Sequence, residues 1–172
     1  MLDPARPTLV VVTGSAGSGK TTLAHELARA IPCPVVSRDE IKEGMMHAHG
    51  EGFEAAHGDP LTKRTFPLFF DLVRMLLEGG VTVVAEAAFQ DPAWCKGLAP
   101  LVSLADLRIV HCIVDPALAS ERAERRGKRR AHADGMAIGQ PFDRLSLPAP
   151  SIEVDTSDGY EPDLQAIVDF VG

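Results

Sequence analysis

The sequence predicts an α/β fold built on a parallel sheet. Three observations carry this reading. Short aliphatic runs alternate with helix-length stretches along the chain, the first run is largely β-branched, and a glycine-rich turn joins it to an amphipathic helix. With 172 residues, 45% of them hydrophobic, a single domain over residues 1–172 is expected. A chain of this size buries roughly 70% of the surface its unfolded form exposes, so it needs neither disulfides nor a structural metal. Cys33, Cys95 and Cys112 lie far apart without a Cys-x-x-Cys pair, which points to a reducing, cytoplasmic setting. The longest purely aliphatic run near the N-terminus, Leu9 to Val12, is far shorter than the roughly 20 residues of a membrane span, so no membrane partner is expected. A net charge of −7 argues against duplex nucleic acid as the main partner, because phosphate neutralisation dominates that binding.

Each element follows in order. Thr8 to Thr13 reads as a strand buried on both faces, ending at glycine. From Lys20 a helix begins, with Leu23, Leu27 and Ile31 on one stripe and Pro32 as its stop. Val35 and Val36 form a second strand, and Ser37-Arg38-Asp39-Glu40 opens a helix with carboxylates in its first turn. Residues 44–60, with Gly44, Gly50, Gly52, Gly58 and Pro60, are expected to be irregular or mobile, a candidate substrate lid. Phe66, Phe69, Phe70, Val73, Leu76 and Leu77 predict a helix ended by Gly79-Gly80, with Pro67 near its start. Val81 to Ala85 is the third strand. Asp91-Pro92 opens a helix that Gly97 and Pro100 shorten. Arg108 to Val114 is the fourth strand, and Asp115-Pro116 opens a helix running into a basic stretch. Residues 131–149 read as loop, Ile152 to Val154 as a fifth strand, and Pro162 to Val171 as a closing helix.

Gly14-Ser15-Ala16-Gly17-Ser18-Gly19-Lys20-Thr21 matches G-x-x-x-x-G-K-[ST], the phosphate-binding P-loop, and it has the required strand before it and helix after it. Wrapping a triphosphate in backbone N–H groups leaves no room for side chains, hence the glycines. The phosphates meet the helix N-terminus, where unpaired N–H groups favour negative charge. Lys20 is expected to reach the β- and γ-phosphates of ATP, Thr21 to coordinate Mg²⁺, and Thr22 to flank the nucleotide.

The Asn-Lys-x-Asp motif that reads guanine is absent, which favours a small phosphotransferase. At this point the chain resembles the P-loop kinases grouped with the kinase domain of polynucleotide kinase, chloramphenicol phosphotransferase, gluconate kinase and zeta-toxin-like proteins. The resemblance rests on the P-loop and on Arg38-Asp39-Glu40-Ile41-Lys42, similar to the Arg-Asp-acid-x-basic segment of the polynucleotide kinase group. It implies a three-layer P-loop NTPase fold with a five-stranded parallel sheet in the order 2-3-1-4-5. It also implies an arginine-rich lid over about residues 122–149 and an acceptor-binding segment over about residues 44–65. The implied reaction is ATP- and Mg²⁺-dependent transfer of the γ-phosphoryl group to a hydroxyl of a small-molecule or nucleotide-like acceptor.

Asp39 matches the carboxylate that accepts the acceptor's proton in that group, and it lies at the carboxyl end of a strand, where open α/β sheets bind ligands. Capping the next helix is its alternative role. Lys42 either holds an acceptor's phosphate or carboxylate or is an ordinary solvated lysine. Glu86 resembles a Walker B acid, binding Mg²⁺ through water or fixing the acceptor. Phe89 lines the acceptor pocket or belongs to the core.

Arg122, Arg125, Arg126, Lys128, Arg129 and Arg130 place six of the 17 basic residues within nine positions. Arg122 and Arg126 share a helical face, and similar kinases use such a pair on adenine and phosphates; Arg126 is the first choice for catalysis. A solvated face bridged by Glu121 and Glu124, or a nucleic-acid patch, is the other reading. The resemblance puts Thr156, within Asp155-Thr156-Ser157, where related kinases wrap adenine. His47, His49 and His57 lack the spacing of a metal site and read as solvent-exposed loop histidines or as lining the acceptor site, and Trp94 reads as packing. Three further readings remain open: a polynucleotide 5′-hydroxyl kinase, a nucleotide-dependent binding or regulatory protein without an acceptor, and a toxin directed at an activated sugar.

Overall fold

The computed structural model describes residues 6–50, 52–53, 56, 58–126 and 142–172. The chain runs β1 (Thr8–Gly14), α1 (Lys20–Ala30), β2 (Val35–Ser37), α2 (Arg38–His49), α3 (Pro60–Glu78), β3 (Val83–Glu86) and α4 (Ala93–Leu98). A 3₁₀ turn (Ala99–Ser103), β4 (Asp106–Ile113), α5 (Pro116–Arg126), β5 (Ser151–Asp155) and α6 (Leu164–Val171) complete it. All strand pairs are parallel and the sheet order is β2-β3-β1-β4-β5, the order expected.

The continuous aliphatic run of β1 is explained by its central place, because each face needs its own apolar row. Leu9 and Val11 face the layer where Phe69, Val73 and Leu77 of α3 pack, whereas Val10 and Val12 face Leu23 and Leu27 of α1 and Ile167 and Val171 of α6. Three layers result. Trp94 packs against Phe66, Phe69, Phe70 and Phe89, with its ring 4.6 Å from that of Phe89, and Phe89 itself is fully buried.

Several expected boundaries shift for identifiable reasons. Residues 44–49, expected to be irregular, continue α2, which ends at Gly50. The following helix starts earlier than its apolar stripe suggests, because Asp59 caps it by accepting from Thr62 N and Pro60 occupies its first turn. Pro67 therefore lies inside α3, not near its start. It is exposed, as is Lys63 one turn before it, so the carbonyl deprived of its usual donor faces water. Val81 is not yet strand. Gly80, at φ +76°, lets Gly80 N and Val81 N close α3 onto the carbonyls of Leu77 and Leu76, and β3 begins two residues later. Asp91 is not the cap of α4, which starts at Ala93. Gly97 is needed in α4 because an added Cβ would overlap the Phe70 ring. The closing helix starts at Leu164, with Asp163 as its cap. Among the described residues no helix is long and apolar enough to cross a membrane.

Candidate active site

The site is assembled at the carboxyl edge of the sheet. Residues 15–19 leave the end of β1 and enter α1, whose N-cap is Gly19 at φ +73°. No side chain caps this helix and its first turn carries no acidic residue, so its leading N–H groups are open to an anion. The glycines have separate reasons. A Cβ on Gly14 would lie 2.6 Å from the Cys112 carbonyl oxygen, and one on Gly17, at φ +78°, would lie 2.5 Å from the Ala119 carbonyl oxygen on α5. Lys20 folds back over the loop, with Nζ donating to the Ser15 carbonyl at 3.3 Å. Thr21 is half-buried and Thr22 exposed.

Neighbouring strands bring the acidic groups here. Glu86 ends β3 and is level with both Val12 of β1 and Ser37 of β2. It is 1% exposed, and the Ser37 hydroxyl donates to its Oε2 at 2.6 Å. Burial pushes the Glu86 carboxyl upward. The Lys20 charge and the Ser37 hydrogen bond oppose that shift, whereas Asp39 and Glu40 reinforce it. Asp39 lies in the first turn of α2, half-buried, and accepts from Arg38 at 3.1 Å. Lys20, Glu86 and Asp39 are thus brought to one edge of the sheet.

The expected acceptor contact of Lys42 meets a different arrangement. Its Nζ is 2.7 Å from Asp59 Oδ2, and both side chains are under 5% exposed. It is therefore not a solvated lysine, because Asp59 shares its burial and supplies its partner.

On the other side of the loop, Arg122 donates to the carbonyls of Thr156 and Ser157 at 2.8 and 3.3 Å. The Thr156 hydroxyl donates to the Ser18 carbonyl at 2.8 Å, tying the loop after β5 to the loop after β1. An open cleft of about 350 Å³ is lined by Gly19, Thr22, Arg122, Arg126, Thr156 and Tyr160. Arg125 forms an exposed pair with Glu121, the solvated arrangement weighed for this stretch. Lys128, Arg129 and Arg130, most of the expected lid, and His57 lie outside the described residues. His47 and His49 fall in the last turn of α2.

These residues fit a nucleoside triphosphate with Mg²⁺. The buried Ser18 hydroxyl and Glu86 Oε1 have no hydrogen-bond partner, and the glycines keep free a cradle that Cβ atoms would fill. Among the described residues no three metal-ligating side chains gather.

Sequence reasoning missed Asp59, and of Ser37 it read only the helix start and not the bond to Glu86. Ser37 begins a Ser-x-x-Glu pattern, with its hydroxyl accepting from Glu40 N, and Asp59-Pro60 repeats the Asp-Pro helix opening read at two other places. Both signals were available. Thr13, whose hydroxyl bonds both the N–H and the carbonyl of Phe89, carries no signal beyond its place in a strand.

Sheet order, loop and first helix together define the fold of the P-loop kinases. The family described as AAA domain matches residues 9–145, and the chain belongs to that family. No curated protein matches the sequence. Among solved structures, a provisionally assigned kinase from Chloroflexus aurantiacus superposes with TM-score 0.82 at 23% identity, covering 97% of each chain. The Mycobacterium tuberculosis APS kinase CysC, in complex with AMPPNP and APS, gives TM-score 0.68 at 18% identity over 97% of this chain and 98% of that one. A gluconokinase from Sinorhizobium meliloti gives 0.57 at 17% identity, over 96% and 89%. At these identities the likeness speaks for the fold.

Proposed function

We propose that this chain is an ATP- and Mg²⁺-dependent kinase that transfers the γ-phosphoryl group to a hydroxyl of a small-molecule or nucleotide-like acceptor. The observation that carries the reading is the convergence of Lys20, Glu86 and Asp39 beside an uncapped, glycine-lined helix N-terminus. The kinases with the same fold support it, since one of them is described with AMPPNP and APS.

Bound MgATP supplies a γ-phosphoryl group whose charge is partly neutralised. The chain supplies position and field. Backbone N–H groups of residues 14–21 and the Lys20 ammonium hold the phosphates, and the Thr21 hydroxyl with the Glu86 carboxylate would hold the cation. Glu86 is suited to this role, because a cation would satisfy the oxygen left without a partner. Asp39 orients the acceptor hydroxyl and takes its proton. Arg122 shapes the loop that flanks the base, and Arg126, which lines the cleft, closes over the phosphates.

The test is label transfer from γ-labelled ATP to a panel of alcohols. Wild type should transfer label to at least one of them. Lys20→Ala should lose transfer with the fold intact, and Asp39→Asn should bind ATP normally but transfer about 10²–10⁴-fold more slowly. Undiminished transfer by Lys20→Ala overturns the reading. Equal losses of ATP binding and transfer in Asp39→Asn reduce Asp39 to a helix cap.

A further inference from the structure

We propose that Lys42 and Asp59 are positioning residues, their buried ion pair being the anchor that sets the pose of α2 and therefore of Asp39. The proposal rests on the reading of Asp39 as the carboxylate that orients the acceptor. It assigns to Lys42 a role in holding its own helix in place of contact with the acceptor.

The reason lies in how little of α2 is buried. Helices α1 and α3 are held by stripes of buried residues, Leu23, Ala24, Leu27 and Ala28 on one and Leu61, Thr65, Phe69, Phe70, Val73 and Leu77 on the other. In α2, twelve residues long, the one buried residue is Lys42. Ile41 is only partly buried against the core. The front of α2 is fixed to the sheet, because the Ser37 hydroxyl accepts from Glu40 N and donates to Glu86. Beyond that first turn, Ile41 touches the core, the Thr65 hydroxyl of α3 meets Met45 Sδ at 3.5 Å, and the Lys42 ammonium enters a slot under the start of α3, the one fully buried contact of the helix.

The slot is built for a cation. Asp59 Oδ2 accepts from Lys42 Nζ at 2.7 Å and from the Thr62 hydroxyl at 3.0 Å, and Oδ1 accepts from Thr62 N at 2.8 Å. The carboxylate is thereby fixed in orientation by the helix it caps, and the Phe53 ring lies 6.0 Å from the ammonium. Apolar contacts tolerate sliding, because dispersion and burial have no preferred direction. A charge-assisted hydrogen bond in a dry site tolerates little, because any lengthening strands two desolvated charges. Lys42 is three residues after Asp39, on the same side of α2. A rotation that breaks the pair therefore carries Asp39 with it.

The test uses the full chain and amide hydrogen exchange read by mass spectrometry, with acceptor-free ATP hydrolysis, water standing as acceptor, as the activity. An asparagine side chain still caps a helix, so Asp59→Asn removes the charge and spares the cap of α3. Peptides from residues 38–49 should exchange at least about tenfold faster in Asp59→Asn, while peptides of β1 and α1 stay as in wild type. The kcat for hydrolysis should fall about 10- to 100-fold with KM for ATP unchanged. Lys42→Arg, which keeps the charge and donors, should retain most of the activity, whereas Lys42→Met should behave like Asp59→Asn. Unchanged α2 exchange in Asp59→Asn overturns the anchor, as does a rise in KM that matches the fall in kcat. Should Asp59→Asn fail to fold, the uncharged pair Lys42→Met with Asp59→Asn is read in the same way. If Asp39→Asn hydrolyses ATP as fast as wild type, the reading of Asp39 fails, a result separate from the exchange comparison.

Discussion

The hydroxyl of Ser37 donates to Glu86 across 2.6 Å, joining the ends of two neighbouring strands while the same oxygen caps α2. One oxygen thus serves a sheet edge, a helix start and a buried carboxylate. Ser37→Ala leaves both Glu86 oxygens without a donor and the helix without its cap. The expected loss is about 1–3 kcal/mol of stability, seen as a lower urea midpoint with an unchanged m-value. A midpoint equal to that of wild type would show that the bond contributes nothing net.

Glu86→Gln should act in the opposite direction on stability. Burial raises the folded-state carboxyl above the usual glutamate value of 4.5, so the folded state binds the proton more tightly than the unfolded chain. Stability from this group is present below 4.5 and declines as pH rises through the folded-state value. Glutamine accepts the Ser37 bond without that decline. At neutral pH and without nucleotide or metal, the variant should melt at a higher temperature than wild type. It should also transfer phosphoryl poorly, a gain of stability at the expense of function. A lower melting temperature would mean that the Lys20 attraction outweighs burial.

Gly17 and Gly19 separate two uses of glycine in one loop. Both have positive φ, +78° and +73°, so alanine strains the backbone at either place. At Gly19 the nearest atom to an added Cβ is Thr156 Oγ1 at 3.5 Å, an ordinary contact, whereas at Gly17 it is the Ala119 carbonyl oxygen at 2.5 Å. Gly19→Ala should cost about 1–2 kcal/mol. Gly17→Ala should cost more and weaken ATP binding, because α5 and its arginines must move off the loop. Calorimetric ATP titration of both variants decides the matter, and equal effects would refute the distinction.

Much of this is legible in the sequence. The P-loop, Asp39 and Glu86 each sit at the end of an aliphatic run, and the parallel sheet brings such ends to one edge whatever the intervening loops do. Lys42, three residues after Asp39, is legible as near that edge, but its partner is not, because Asp59 is 17 residues away and their meeting depends on how two helices pack. The early start of α3 was hidden by its apolar stripe, which begins a turn after the cap. The link from Thr156 to Ser18 crosses 138 residues of chain and leaves no local pattern. What sequence periodicity omits is pairing between elements, where polar side chains find partners fixed by packing.

The Lys42–Asp59 pair also predicts a specific acid limb. Burial alone would raise the Asp59 carboxyl, but the bond from Lys42, the two from Thr62 and the Lys42 charge together lower it to about 2. A lowered carboxyl contributes its stability above the unfolded value of 3.8, and the contribution is lost as pH falls toward 2. The amide of Asp59→Asn has no charge to lose. The stability gap between wild type and Asp59→Asn should therefore be at least about 2 kcal/mol from pH 5 to 7 and should narrow between about pH 4 and 2. Urea unfolding of both proteins at stepped pH measures the gap directly. A gap as wide near pH 2 as at pH 7 would assign the cost to the amide's fit in the slot and remove the charge from the explanation.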